Sequence, residues 1–335
     1  MKPKRQALSE PTMHNRWNDI ATAAYGLTDL RLLESRAHFS THFFIESSQG
    51  QFVLSCSPFQ ADRMVKSYQF QLVEVLQDNG FRQVSLPVQT LDGRYCYWGR
   101  EDWWVLNPYM PSDEHPQWDS RDLITESAQT LAALHSAGRR YGDELQAESA
   151  REDLGWYYIS STRWAEASPK IASAFRWDEL SEDDAAFLRS QLNFVRSNAS
   201  AIKSLCDEWG MRSITHQDYR PANLRIWESK IATVWDFDMA VIDYSLYDVA
   251  FASLQFGGRE CLFPEVSLDL ARQFVEAYIA ATDKPEPIGG DGVLRWFLTV
   301  AILRRLLLNY HIPERMELLR KIAGWDWLNR IAPSL

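Results

Sequence analysis

An excess of positive charge is what this chain most clearly lacks. Its 335 residues carry 35 Lys and Arg against 45 Asp and Glu, a net charge of −10, and the sequence pI is about 5.3. A protein held on nucleic acid by a basic face needs the opposite balance, so no nucleic-acid partner is expected. A cationic small-molecule partner is compatible with the acidic balance but is not demanded by it. Cysteine is scarce as well. Cys56, Cys96, Cys206 and Cys261 lie far apart and form no C-x-x-C pair. That argues against a disulfide framework or a cysteine zinc site and points to reduced thiols in a cytoplasmic protein. Long apolar runs are missing too. The richest late stretch, Trp296 to Leu308, is broken by Arg304 and Arg305, which makes it too short and too charged to span a bilayer. Met1 to Asn15 is polar and partly basic without an apolar core, so neither a signal peptide nor a membrane partner is expected.

Several catalytic signatures are absent from the sequence. There is no G-x-S-x-G elbow, no Walker A loop, no H-E-x-x-H and no Rossmann glycine fingerprint, which sets aside the chemistries those motifs serve. Gly257-Gly258 is an isolated pair. No internal repeat or low-complexity segment occurs. What the chain has is length and apolar content. With 46% hydrophobic residues it can bury a sizeable core, and its length suits two lobes or domains. Fourteen Trp are expected mainly in cores, where aromatic rings bury large areas.

One segment carries chemistry. His216-Gln217-Asp218-Tyr219-Arg220-Pro221-Ala222-Asn223 is followed by Asp236-Phe237-Asp238. An Asp, an Asn five residues later and a second Asp thirteen beyond it is the spacing of a phosphoryl-transfer site. Such a site needs a carboxylate to orient the attacking hydroxyl and oxygen ligands for Mg²⁺ against nucleotide phosphates. The flanks fit. Met211 to Thr215 reads as a strand, and Leu224 to Trp227 and Ile231 to Trp235 read as two strands around the polar turn Glu228-Ser229-Lys230. That hairpin brings Asn223 at its entrance back beside Asp236 at its exit, so two metal-ligand types meet at one end.

These residues resemble the aminoglycoside phosphotransferase-like (protein-kinase-like) family, which also includes choline, homoserine, fructosamine and methylthioribose kinases. The resemblance implies an α+β, protein-kinase-like two-lobed fold: a small β-rich N-lobe that binds nucleotide, residues 15–107, and a larger, mainly helical C-lobe for catalysis and acceptor binding, residues 108–335. It implies ATP and Mg²⁺ as cofactors. Asp218 would orient and deprotonate the acceptor hydroxyl, and His216 would brace the loop. Asn223 and Asp236 would bind Mg²⁺, with Asp238 as a second acid aiding metal or loop order. Arg220 stands where many small-molecule kinases of the family carry His and protein kinases carry a phosphate-binding Lys. A guanidinium can meet the γ-phosphate through charge-assisted hydrogen bonds, or it can be a solvated loop residue. Tyr247-Asp248-Val249-Ala250 resembles the family's Y-D-L-A, in which the Asp is structural.

Along the rest of the chain, residues 1 to 14 read as a loose tail. Trp17 to Tyr25 reads as a helix stopped by Gly26. Leu30 to Leu33, Thr41 to Glu46 and Gln51 to Ser55 read as strands, and Arg63 to Asn79 as a helix stopped by Gly80. Further strands are expected near Val84 to Gln89 and Arg94 to Gly99. By the resemblance, the loop Ala37 to Thr41 covers the phosphates with Ser40 and Thr41. Trp104 to Pro111 is the lobe hinge, offering the Pro108 carbonyl and the Met110 N–H to adenine; Pro108 has no N–H to give. Asp122 to Ser136 reads as an amphipathic helix, with His135 as a hydrogen-bonding structural residue. Trp156, Tyr157, Tyr158 and Trp164 lie in the region where family members build acceptor specificity, or they simply pack. Helices are expected over Glu182 to Leu205, Leu268 to Ala281, Gly292 to Asn309 and Arg315 to Ile331.

One departure from the family pattern matters. The strand that should carry the phosphate-binding cation has Ser55 in its place, and the paired Glu of the next helix falls at Gln69, or at Gln71 in a shifted register. Losing both partners is less damaging than stranding one buried charge. Lys66, Arg63 or Arg220 could replace the cation, or Mg²⁺ and backbone could hold the nucleotide. The leading reading is therefore an ATP- and Mg²⁺-dependent phosphotransferase acting on a hydroxyl of a small molecule, an amino-sugar, amino-alcohol or similar. Asp243, Glu260, Glu265 and Asp269 are candidate carboxylates for a cationic acceptor. The alternatives are a tailoring kinase directed at peptide Ser or Thr and an inactive pseudokinase scaffold. The sequence leaves the oligomeric state open.

Overall fold

The computed structural model describes residues 16–37, 40–58, 63–100, 102–113, 118, 120–139, 160–167, 172, 177–258, 266–282, 292–306 and 312–324. The expected tail, the middle of the phosphate-covering loop, Trp156, Tyr157, Tyr158, Glu260, Glu265 and the end of the last expected helix lie outside these residues. The chain divides into two compact units. The first takes the described residues up to Phe70 together with Ser85–Pro111; the second takes Gln71–Val84 and the described residues from Ser112 onward.

The first unit opens with helix α1 (Trp17–Tyr25), which buries Ile20, Ala21, Ala24 and Tyr25 on one face. Gly26, at φ 69°, ends it by donating its N–H to the Thr22 carbonyl at 3.0 Å. This is a left-handed helix cap, a conformation that glycine adopts without strain. Strands β1 (Arg31–Ala37), β2 (Thr41–Ser47) and β3 (Gly50–Pro58) follow, then helix α2 (Arg63–Asp78), whose second half belongs to the other unit. The two-residue strand β4 (Tyr97–Trp98) and strand β5 (Asp102–Pro108) complete an antiparallel sheet of order β1-β2-β3-β5-β4.

Side chains alternate across this sheet. Phe43, Ile45, Leu54, Cys56, Trp104 and Leu106 pack with α1 on one face. Trp103 and Val105 lie on the other with Cys96 and Phe70. The Tyr25 hydroxyl donates to the Trp104 carbonyl at 2.9 Å, tying α1 to the central strand. Asp102 is fully buried and paired with Arg16 at 2.5 Å.

Two sequence expectations change here. Val84 to Gln89 is not a strand; it makes single bridges at Val84 and Val88, because Pro87 has no N–H for a ladder. Arg94 to Gly99 shrinks to β4, because a turn in which the Thr90 N–H donates to the Arg94 carbonyl at 2.7 Å takes up its start. Most of the expected hinge is strand β5, paired with β3 as far as Phe52 opposite Pro108.

The second unit is mainly helical: α3 (Arg121–Arg139), α4 (Ser161–Glu166), α5 (Glu182–Glu208), α6 (Ser245–Gly257), α7 (Leu268–Ala281), α8 (Val293–Leu306) and α9 (Ile312–Ala323). Two small antiparallel pairs carry the motif segment. Strand β6 (Arg212–Thr215) pairs with β9 (Val241–Tyr244), and β7 (Leu224–Trp227) with β8 (Lys230–Val234). All thirteen residues of α6 are buried, the signature of a helix enclosed on every side. Gly138 lets α3 lie on β6, since a Cβ there would come within 2.5 Å of the Ser213 hydroxyl and 2.8 Å of the Ile214 nitrogen. The β7–β8 turn holds Glu228 at φ 51° and Ser229 at φ 61°, the double left-handed turn that suits the twist of a hairpin. Among the described residues no helix is long and apolar enough to cross a membrane.

Candidate active site

The motif loop leaves β6 at Thr215 and is pinned from below by one buried carboxylate. Asp248, in the first turn of α6, is fully buried. It accepts the N–H of His216 at 2.6 Å and of Gln217 at 2.7 Å. His135 of α3 approaches the same carboxylate at 3.2 Å through Nε2 and the Tyr278 hydroxyl at 2.8 Å through Nδ1. Burial pushes the His135 pKa below its ordinary value, outweighing the pull of Asp248. A neutral His135 that donates to Asp248 and accepts from Tyr278 satisfies both contacts.

Gln217 turns the chain at φ 64°, a left-handed conformation that a non-glycine residue keeps only when its surroundings hold it. Here three partners do. Its amide donates to Thr215 Oγ1 at 2.8 Å and to Asp243 Oδ2 at 3.2 Å, and its Oε1 accepts from Arg304 at 2.9 Å. His216 braces the other side. Its Nε2 meets the Trp235 carbonyl at 2.8 Å, which makes Nε2 the donor and leaves Nδ1 to accept the Asp218 N–H at 3.3 Å. The loop is thereby tied to the segment that enters Asp236.

Asp218 is nearly buried, 8% exposed. The Asn223 side-chain nitrogen donates to its carbonyl at 2.8 Å and to Oδ2 at 3.0 Å, which leaves the Asn223 Oδ1 as the atom with which that side chain could hold a cation. Arg220 Nε also lies 3.1 Å from Oδ2. This is an ion pair without hydrogen-bond alignment. Oδ1 is held by Arg305 of α8 in a very short contact. Tyr219 is fully buried and donates to the Ser127 carbonyl at 2.8 Å; burial raises its pKa well above the ordinary value. At the far end of the hairpin, Trp235 donates its N–H to the Asn223 carbonyl at 3.1 Å. Asp236 follows at φ 64°, and both Asp236 and Asp238 are exposed. His216, Asp218, Arg220, Asn223, Asp236 and Asp238 thus share one loop-and-hairpin assembly. Among the described residues no group of three or more His, Cys, Asp or Glu converges as a closed cation site.

The expected nucleotide residues all lie in the first unit. Ser55 on β3 pairs with His42 on β2, and its hydroxyl meets the His42 Nδ1 at 2.8 Å. The Ser40 hydroxyl meets that of Ser57, and Thr41 opens β2 opposite Cys56. Lys66 is 5% exposed, with its ammonium 4.6 Å from the centre of the Trp103 ring, on the sheet face that also carries Ser55 and Val105. Gln69 is buried and Gln71 exposed. Pro108 ends β5, and Tyr109 donates to the Gln51 carbonyl at 2.9 Å, leaving Met110 exposed beyond it.

One expectation fails. Asp243 is not a surface carboxylate for an acceptor. It is 2% exposed and accepts from the Ser161 N–H, the Ser161 hydroxyl, the Tyr244 N–H and Gln217. Burial raises its pKa despite nearby Arg304. Of the two readings open for Trp164, packing is the one its full burial supports. The residue that sequence reasoning missed is Arg305. With Arg304 it breaks an apolar run, but two cations in the last turn of a helix are also what the helix dipole favours, so the pattern alone did not point to the motif loop.

A family-model comparison matches residues 29–288 to the phosphotransferase enzyme family, APH. Curated protein sequences return no match. Among solved structures, the amicoumacin kinase hAmiN, in complex with AMP-PNP, Ca²⁺ and Ami, aligns at TM-score 0.62 and 11% identity over 97% of this chain and 94% of its own. A microcompartment-associated aminopropanol kinase aligns at TM-score 0.59 and 17% identity, over 94% and 95%. The Plasmodium vivax ethanolamine kinase aligns at 0.58 and 15%, over 96% and 91%. At these identities the structures speak for the fold, and the family match speaks for the chemistry. The chain belongs to the phosphotransferase enzyme family, with a protein-kinase-like fold and the activity of a kinase, a phosphotransferase with an alcohol group as acceptor.

Proposed function

We propose that this kinase uses ATP and Mg²⁺, with Asp218 as the base that orients the acceptor hydroxyl. The observation that carries the reading is the held carboxylate of Asp218, with Asn223 at 3.0 Å on one oxygen and its loop pinned through Asp248. A carboxylate fixed in this way supplies what phosphoryl transfer asks of the protein, since positioning and charge stabilisation make up most of that catalysis. The acceptor O–H gives its proton to Asp218 as its oxygen bonds to the γ-phosphorus, the bond to the β-phosphate oxygen breaks, and ADP leaves.

The donor set fits Mg²⁺. The Asn223 Oδ1, Asp236 and Asp238 are hard oxygen ligands on one hairpin. Mg²⁺ is usually held by one or two carboxylates, with waters and substrate phosphate completing the shell, so an open site is the expected form. When bound, the ion would neutralise charge on the transferring phosphates.

On the nucleotide side, Arg220 is assigned to the γ-phosphate and buried Lys66 to the cation that Ser55 does not supply. Ser40 and Thr41 are assigned to phosphate contact, and Pro108 and Met110 to adenine. Residues 15–107 and 108–335 are the corresponding lobes in this reading. Amino-sugars and amino-alcohols, the latter the compounds named for two of the structural relatives, are the first acceptors to screen, and the cytoplasm is the assigned compartment.

The test pairs activity with binding. Asp218→Asn is expected to abolish transfer, by about 10²-fold or more, while MgATP binding and the melting curve persist. Asp236→Ala is expected to remove the Mg²⁺ dependence of ATP binding by calorimetry. Wild-type turnover in Asp218→Asn would falsify the assignment. Absence of transfer to any acceptor by the wild-type enzyme would favour the pseudokinase scaffold.

A further inference from the structure

Asp243 is a buried carboxylate to which the proposed transfer step gives no task. It is joined to two segments that lie far from it in the chain. On one side it accepts the Ser161 N–H at 2.8 Å through Oδ2 and the Ser161 hydroxyl at 2.9 Å through Oδ1, where α4 begins. The Tyr244 N–H shares Oδ1 at 2.8 Å. On the other side Oδ2 accepts the side-chain amide of Gln217 at 3.2 Å, the residue that leads into Asp218.

The Gln217 amide lies between an anion and a cation. Its nitrogen donates to Asp243, and its oxygen accepts from Arg304 at 2.9 Å. An ionised carboxylate only accepts and a guanidinium only donates, so the amide has one orientation open to it. Turned over, it would set donor against donor and acceptor against acceptor. Thr215, Gln217, Asp243 and Arg304 are at most 4% exposed, and a misplaced polar group at that depth has no bulk water to relieve it. The consequence falls on the next residue. Gln217 holds φ 64°, and from that turn the chain enters Asp218, whose own N–H is held by the longer 3.3 Å contact with His216 Nδ1.

We propose that Asp243 is a positioning residue for phosphoryl transfer: through the Gln217 amide it fixes the left-handed turn that aims the Asp218 carboxylate at the acceptor hydroxyl. The proposal rests on the reading of Asp218 as base. The bonds from Ser161 and Tyr244 secure Asp243 itself, so stability and turnover depend on different bonds of one carboxylate.

That division is measurable as ADP release from MgATP with 1-amino-2-propanol, ethanolamine or water as acceptor, beside melting curves and calorimetric MgATP binding. Asp243→Ala is expected to lower kcat about tenfold to a hundredfold, the cost of misplacing a reacting group by about 1 Å, with the KM for ATP unchanged. If that variant does not fold, Gln217→Glu carries the same prediction, because it sets one carboxylate against another. Ser161→Ala removes a bond to the same carboxylate without touching Gln217, so it should lower the melting temperature and keep kcat. The exchange Gln217→Glu with Asp243→Asn restores the link in reverse. The new amide donates to the new carboxylate, which also accepts from Arg304 and the Thr215 hydroxyl, while the Ser161 N–H stays unmet. Turnover should return to within about threefold of wild type, although the melting temperature stays low.

Turnover that follows the melting temperature across the series, a loss expressed in the KM for ATP, or no recovery in the exchange overturns the proposal. Asp218→Asn separates it from the reading beneath it. If that substitution abolishes ADP release and Gln217→Glu leaves it intact, Asp218 keeps its role and Asp243 loses this one. A wild type that releases no ADP with any of the three acceptors removes both.

Discussion

Gln217 sits where the loop must turn left-handed, and it is not the glycine that such a turn favours. Its side chain explains the choice, since it satisfies Thr215, Asp243 and Arg304 at once. Backbone preference and side-chain bonding therefore pull in opposite directions at this position, and two substitutions separate them. Gln217→Ala loses the bonds and keeps the left-handed cost, so it is expected to destabilise by about 2–4 kcal/mol. Gln217→Gly loses the same bonds but relieves the backbone, and should be more stable than the Ala variant by roughly 0.5–1 kcal/mol after its greater unfolded-state entropy is counted. Chemical denaturation of the two variants checks the order; an Ala variant at least as stable as the Gly variant would show that the loop relaxes its turn when the side chain is lost. None of this was legible from the motif, in which this position reads as a spacer between His216 and Asp218.

At the scale of elements, the site depends on how closely α3 and β6 approach. Gly138 is the contact that permits it. Added methyl volume there meets the Ser213 hydroxyl and the backbone nitrogen of Ile214, and backbone cannot step aside as a flexible side chain can. Gly138→Ala is expected to cost about 1–3 kcal/mol and to lower turnover by shifting β6, which leads straight into His216. Unchanged melting and unchanged kcat in this variant would mean that the two elements separate freely.

The elements themselves were largely readable. Helix α7 runs over the expected residues, α1 ends at the expected glycine, and the β7–β8 hairpin forms around its polar turn. Strand β9 and helix α6 were not anticipated as elements. A helix buried on all faces shows no polar stripe, so the 3.6-residue periodicity that reveals other helices is missing from it.

At the scale of the molecule, acid should act through the buried histidine that backs the motif loop. The folded-state pKa of His135 lies below its ordinary 6.5, chiefly because burial disfavours the charged ring. Between the two values the unfolded chain binds the proton that the folded protein refuses, so stability is intact above about pH 6.5 and falls as pH drops toward the folded pKa, by at most about 1.4 kcal/mol per pH unit for one such group. Asp243 works in the opposite direction, because its pKa is raised by burial and protonation relieves that burial cost. His135→Gln removes the first contribution and leaves the second. Melting temperatures from pH 8 to pH 5 should accordingly fall less steeply with acid in His135→Gln than in wild type; parallel profiles would mean that His135 does not titrate across the unfolding transition.

The candidate site was written locally. One short loop, one hairpin and one tripeptide hold the residue types of phosphoryl transfer at fixed spacing, and short-range geometry brings Asn223 back beside Asp236 without help from the rest of the chain. Sequence was enough for that, and for the kinase-like fold. Tertiary structure decided what surrounds the carboxylate. It carried Arg305 to Asp218 across 87 residues, sank Asp243 beneath the loop, and set Asp248 under two of the loop's amides. Contacts so distant in sequence leave no periodicity and no spacing to read. They follow from which helix packs where, and that is resolved only when the apolar faces of the whole chain are buried together.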